Sequence, residues 1–80
     1  MKNAIGDIEE TMQFDPDDGI ANLDTHLDRL RDAAEAEGFE FDRHAARNEL
    51  QAATFGKRRL STARLVLSPT GAMAIEVRSD

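Results

Sequence analysis

One arginine stands where it could bind an anion. Leu23, Leu27, Leu30 and Ala34 recur at helical spacing and form a narrow apolar stripe, and Arg29 lies beside it. A guanidinium in that position is either a solvated charge on a helix face or an anion ligand at the rim of a site. The second interpretation has a chemical basis, because the planar guanidinium offers paired donors to phosphate.

An acidic side chain on the first predicted strand is the second candidate. Residues 8–14 alternate with period two, and Glu10 shares the apolar side with Ile8 and Met12. A carboxylate that points toward a core needs a partner. Two interpretations stay open: Glu10 forms a salt bridge with a basic neighbour, or it lines a functional site.

The composition excludes several kinds of chemistry. The chain has 80 residues, enough for one small domain that buries a modest core. It contains no cysteine, so disulfides and thiol chemistry are excluded. The two histidines, His26 and His44, are isolated in the sequence and predict no metal site.

Charge and hydropathy narrow the classes of partner. The net charge of −6 argues against a nucleic-acid partner, which requires a basic face. The basic run at residues 57–59 has no interleaved aromatic residues for stacking, so it is interpreted as a solvated loop. No apolar run approaches the ~20 residues needed to span a membrane, and the N-terminus lacks a signal-peptide core. A cytoplasmic location is therefore expected.

Turn and capping residues divide the chain into two helices and an antiparallel sheet. Asp24 or Thr25 is predicted to cap a first helix that ends near Glu37, before a left-handed Gly38. Asp42 is predicted to cap a second helix. The second helix is expected over residues 43–54, strands over 8–14, 20–23, 61–68 and 72–78, turns over 15–19 and 68–71, and a loose lead-in or strand start over 1–5. The sum is an α+β fold with two helices packed on one face of a small antiparallel sheet.

Four short motifs follow one another along the chain. An "ETM" strand begins at Glu10, an acidic Pro/Gly turn follows, "HLDRL" begins at His26, and "GFEF" begins at Gly38. In this order they resemble the N-terminal domain of class IV pyridoxal-phosphate enzymes, and the resemblance spans most of the chain. That family contains branched-chain aminotransferases, D-amino-acid aminotransferases and 4-amino-4-deoxychorismate lyases. The lyase branch, which makes 4-aminobenzoate for folate biosynthesis, is the most similar.

The resemblance implies roles for particular residues. The arginine of "HLDRL", Arg29, would bind the phosphate of pyridoxal 5'-phosphate. Arg64, on the strand after the second helix, would bind a substrate carboxylate, with Thr62 on the same side of that strand. The alternative for Arg64 is an exposed strand arginine paired across the hairpin with Glu76. Glu10 and Thr11 match the "ET" pair on the first strand of the family, which lies close to the active-site wall.

The same resemblance implies that essential parts lie outside these 80 residues. Lys2 and Lys57 are the only lysines, and neither stands in the motif of the cofactor-bearing lysine. That lysine belongs to the family's second domain, so this chain would hold no catalytic residue and would be inactive alone. The expected partners are the remaining domain or a homo-oligomer, and an amino acid or chorismate derivative as small-molecule substrate. The stretch between Gly6 and Glu10 is one residue shorter than the family pattern.

Two further hypotheses fit parts of the sequence. The stretch at residues 35–41, followed by an Asp42-capped helix, also resembles the helical leader peptides of the nitrogen-fixation-associated precursor family. The predicted hairpin and the missing Gly-Gly signal oppose that resemblance. The other hypothesis is a non-catalytic, small acidic interaction module that binds a partner through an exposed sheet edge.

Overall fold

A four-stranded antiparallel sheet carries both helices on one face. The computed structural model describes residues 6–80, so the predicted lead-in at residues 1–5 lies outside the described residues. The elements in chain order are β1 (Ile8–Asp15), β2 (Gly19–Ile20), α1 (Leu23–Glu37), α2 (Arg43–Thr54), β3 (Ser61–Leu67) and β4 (Met73–Ser79). The strand order is β2-β1-β3-β4. The predicted α+β class is confirmed, and the sheet does not fit a mostly helical leader peptide.

Period-two alternation decides which side of each strand is buried. Ala63, Leu65 and Leu67 of β3 are fully buried, and they face the helices together with Met12 of β1. In the described part of the chain, no helix packs on the opposite side of the sheet, which is called the outer face. It consists of Glu9, Thr11, Gln13, Thr62, Arg64, Val66, Ala74, Glu76 and Arg78.

The apolar stripe of α1 faces the sheet as predicted, but the helix begins earlier than expected. Leu27, Leu30 and Ala34 are buried. The capping prediction was wrong, because α1 starts at Leu23 after Asn22, which has φ 54° and makes no side-chain capping bond. The predicted strand over residues 20–23 shrinks to Gly19–Ile20 for the same reason. Two residues remain to join strand to helix, and asparagine tolerates the left-handed conformation that so tight a connection needs.

The end of α1 and the start of α2 follow the sequence signals. Gly38 has φ 76°, and the N–H of Phe39 donates to the carbonyl of Ala34 at 2.8 Å. This is the hydrogen bond of a Schellman motif, in which the left-handed glycine lets the chain turn back. Asp42 accepts from the N–H of Ala45 at 3.0 Å and caps α2.

The buried face of α2 is small. Ala46, Leu50 and Thr54 are buried, and Ala53 is half-buried. Thr54 tolerates burial because its hydroxyl donates to the carbonyl of Leu50 at 2.9 Å. Within residues 6–80, neither helix is long and apolar enough to cross a bilayer.

Two neighbouring residues of β3 test the assignment of faces. Leu65→Ala should lower the free energy of unfolding by about 2–5 kcal/mol, because it leaves a cavity among buried side chains. Val66→Ala on the outer face should cost about 1 kcal/mol or less. Urea denaturation followed by circular dichroism measures both, and equal losses would contradict the assignment.

Two helix starts test the capping analysis. Asp42→Ala should destabilise the protein by about 1 kcal/mol, because the Ala45 N–H loses its acceptor. Thr25→Ala should be close to neutral, because Thr25 lies inside α1 and caps nothing. The same denaturation measurement applies, and a cost at Thr25 equal to that at Asp42 would restore the original capping prediction.

Candidate functional site

A nearly buried carboxylate joins β1 to α1. Glu10 points from β1 toward the helix layer, and α1 places His26 and Arg29 three residues apart on the facing surface. Nδ1 of His26 lies 2.6 Å from Oε2 of Glu10, and Nη1 of Arg29 donates to the same oxygen at 3.2 Å. These three residues are called the Glu10 cluster. The salt-bridge interpretation of Glu10 is thereby confirmed.

Exposure differs sharply within the Glu10 cluster. The side chains of Glu10 and His26 are each 15% exposed, whereas that of Arg29 is 65% exposed. The carboxylate is thus held at the edge of the core, and the guanidinium reaches solvent. Arg29 is therefore neither a buried ion-pair partner nor a fully solvated charge.

One edge of the Arg29 guanidinium is free for a ligand. Among residues 6–80, its hydrogen bonding is confined to the contact of Nη1 with Glu10. Nε and Nη2 point the same way and form the paired donors that fit two oxygens of a phosphate or carboxylate. The arrangement can therefore bind one anion side-on without breaking the contact with Glu10.

Arg64 is bonded on every side. Its Nε and Nη2 lie 3.2 and 3.5 Å from the two carboxylate oxygens of Glu9, and its Nη1 lies 3.4 Å from Oε1 of Glu76. The predicted pairing with Glu76 is present, and Glu9 is a further partner that was not predicted from the sequence. Arg64 is 43% exposed, and ion pairs of that exposure contribute only about 0–1 kcal/mol. A ligand carboxylate could replace one of these glutamates at small cost.

The outer face forms a shallow depression around Arg64. Its lining is polar and of mixed charge, and its volume is about 640 Å³. Thr62 lies in it, and the Thr62 hydroxyl donates to Oδ1 of Asp80 at 3.3 Å. The other lining residues are Thr11, Glu76 and Arg78. Arg78 was not singled out from the sequence, although it stands opposite Thr62 in the pairing of β3 with β4.

The structure brings Thr62 and Arg64 together but separates both from Arg29. Glu10 and Thr11 are adjacent in β1 and so point to opposite sides of the sheet. Arg29 contacts Glu10 on the helix side, whereas Arg64 stands opposite Thr11 on the outer face. The residues implied for phosphate and for substrate thus lie on two sides of one sheet.

The remaining candidates that the structure describes add no chemistry to either location, and Lys2 lies outside the described residues. His44 and Lys57 are exposed. Within the described part of the chain, no group of three or more His, Cys, Asp or Glu side chains is arranged to hold a metal ion. The contact of His26 with Glu10 was not predicted from the sequence, where the one available signal was the three-residue spacing of His26 from Arg29.

Comparison with solved structures identifies a similar fold. The chain superposes on the crystal structure of a protein from Mesorhizobium loti described as a "putative amino-acid aminotransferase", with a TM-score of 0.84 and 29% sequence identity. The match covers 91% of this chain and 35% of the other, so this chain spans about a third of the structure it matches. No protein-family model and no curated protein matches the chain. The resemblance inferred from the sequence is confirmed by this match, and the chain has the fold of an aminotransferase-like domain.

Proposed function

We propose that this chain is the phosphate-binding N-terminal domain of a pyridoxal-phosphate enzyme, with Arg29 as its phosphate ligand. The observation that carries the proposal is the exposed Arg29 guanidinium on an aminotransferase-like fold, with an Nε–Nη2 edge that no side chain of residues 6–80 occupies. A phosphate dianion suits this edge, because charge-assisted bidentate hydrogen bonds are the strong ones. The single guanidinium fits one side of a phosphate, and other donors must complete the site.

In this proposal the residues of this chain bind the cofactor and substrate, and the reactive lysine amine comes from another domain or chain. When bound, pyridoxal phosphate supplies an electron sink that stabilises a carbanion at the substrate. Lys57 lies in the exposed turn after α2 and has no place in the Glu10 cluster. We therefore propose that a second domain or chain contributes the lysine, and that this chain alone is inactive.

The proposed substrate residues lie on the outer face, on the opposite side of the sheet from Arg29, so their role depends on a further domain or chain that joins the two sides. Arg64 and Thr62 would bind the carboxylate of an amino acid or of a chorismate derivative, with the weak Arg64 pairs to Glu9 and Glu76 giving way. The order of the sequence motifs supports the lyase branch, whose reaction releases pyruvate and yields 4-aminobenzoate. An amino-acid aminotransferase is the other candidate, and the named structural neighbour supports it.

Two exposed apolar side chains support the alternative of an interaction module. Phe55 and Leu60 are 88% and 57% exposed, and they flank three consecutive basic residues at 57–59. Large exposed apolar side chains of this kind are typical of contact surfaces. They also suit the expected association with a second domain or a second copy of the chain.

Replacing Arg29 tests the proposed phosphate site in the chain itself. The probes are pyridoxine 5'-phosphate and pyridoxine, which lack the aldehyde that would react with lysines. In a titration followed by nuclear magnetic resonance, the phosphorylated probe should shift the signals of α1. Arg29→Ala should weaken that binding by roughly tenfold or more, because a charge-assisted pair of bonds is lost.

The matched control is Arg31, which is half exposed on the same helix and pairs with Asp28 and Asp32. Arg31→Ala should leave the affinity within about twofold, since its charge lies outside the cluster. Equal binding of pyridoxine, or unchanged affinity in Arg29→Ala, would remove Arg29 from the site.

A further inference from the structure

We propose that Glu10, backed by His26, is a positioning residue that holds Arg29 with its Nε–Nη2 edge turned toward a phosphate-type dianion. The inference rests on the proposed function of Arg29 and adds the group that orients it. Its basis is the shared oxygen: Nδ1 of His26 at 2.6 Å and Nη1 of Arg29 at 3.2 Å both contact Oε2 of Glu10.

The positions of the three residues make Glu10 a rigid anchor. Glu10 extends from the sheet and is 15% exposed, so packing limits its motion. His26, equally enclosed, contacts the carboxylate at 2.6 Å. Arg29 approaches the same oxygen from the solvent side. The position of the carboxylate is therefore fixed independently of its contact with the guanidinium.

A fixed Nη1 determines where the other donors point. The guanidinium is planar, so anchoring one terminal nitrogen restricts the direction of Nε and Nη2. An unanchored arginine on a helix surface must lose rotamer freedom when it binds a ligand, and an anchored one has already lost part of it. The negative charge of Glu10 opposes an incoming anion, but at a guanidinium 65% exposed this repulsion is screened by solvent and salt.

The neighbouring glutamate provides a natural contrast. Glu9 is 51% exposed on the outer face and pairs with Arg64 through both Nε and Nη2. It occupies the edge that a ligand would need, whereas Glu10 leaves that edge open on Arg29. The two adjacent glutamates of β1 therefore leave different parts of their arginine partners available for a ligand.

A charge-conserving substitution separates positioning from electrostatics. Glu10→Asp keeps the charge and withdraws the carboxylate by one methylene. Glu9→Asp makes the same change on the outer face and serves as the control. Two quantities are measured by nuclear magnetic resonance: the order parameter of the Arg29 Nε–H bond, and the affinity for inorganic phosphate.

We expect Glu10→Asp to lower the order parameter of Arg29 and to weaken phosphate binding by about two- to tenfold, as the rotamer freedom regained by one long side chain implies. Glu9→Asp should change neither quantity. An unchanged order parameter in Glu10→Asp would overturn the proposal. So would unchanged phosphate affinity in Glu10→Asp, or tighter binding in Glu10→Gln, since either means that Glu10 acts through its charge alone.

Failure of the proposed function gives a different pattern. If the unsubstituted chain binds no phosphate while Glu10→Asp still frees Arg29, then Glu10 positions the arginine but the phosphate site is absent. Should Glu10→Asp unfold, Glu10→Gln keeps the side-chain length and gives the same measurement of order. In that variant, Arg29 should again become more mobile, and an unchanged order parameter would overturn the proposal.

Discussion

A carboxylate on the helix-facing side of a sheet needs hydrogen-bond donors from the opposing helix. Glu10 is such a carboxylate, so α1 must place donors beside it. An unpaired charge at this depth would cost several kcal/mol. The rotation of α1 is therefore constrained from two sides. Leu27 and Leu30 must enter the core, and His26 and Arg29 must stand above β1. A single orientation of α1 places both pairs correctly, because the four residues lie within two turns and the two pairs occupy neighbouring strips of the helix surface.

This constraint gives the two arginines different environments. Arg29 is held from the sheet by the enclosed carboxylate of Glu10, and its Nε–Nη2 edge has no partner among residues 6–80, which suits recognition of a phosphate. Arg64 lies on the open outer face, where Glu9 and Glu76 take up its donors through weak, half-exposed pairs. The geometry therefore supports the cofactor role of Arg29 more directly than the substrate role of Arg64. The latter stays a prediction, and it requires a ligand or a second domain to displace existing partners.

Local signals in the sequence predicted most of the fold. Alternation in residues 61–67 and the stripe on α1 follow from the geometry of strands and helices, and Gly38 and Asp42 mark helix ends by local chemistry. The start of α1 could not be predicted in this way. The length of β2, which is set by pairing with β1, leaves Asn22 as the last residue before the helix.

The candidate site was predictable only in part. The inward direction of Glu10 follows from strand parity, but its partners depend on how a helix 16 or more residues away docks on the sheet. The resemblance implied one active site for Arg29 and Arg64, and it carried no information about which side of the sheet each would face. Arg78 lines the outer-face depression because of the register between β3 and β4, and a single sequence does not specify that register.

Native mass spectrometry of the protein isolated from the cells that make it tests most directly whether this domain works with pyridoxal phosphate. The proposed function predicts a species larger than the 8.9 kDa chain that retains the mass of the cofactor. Species found only at simple multiples of 8.9 kDa, with no cofactor mass, would contradict it. In that case the aminotransferase-like fold would serve binding rather than catalysis.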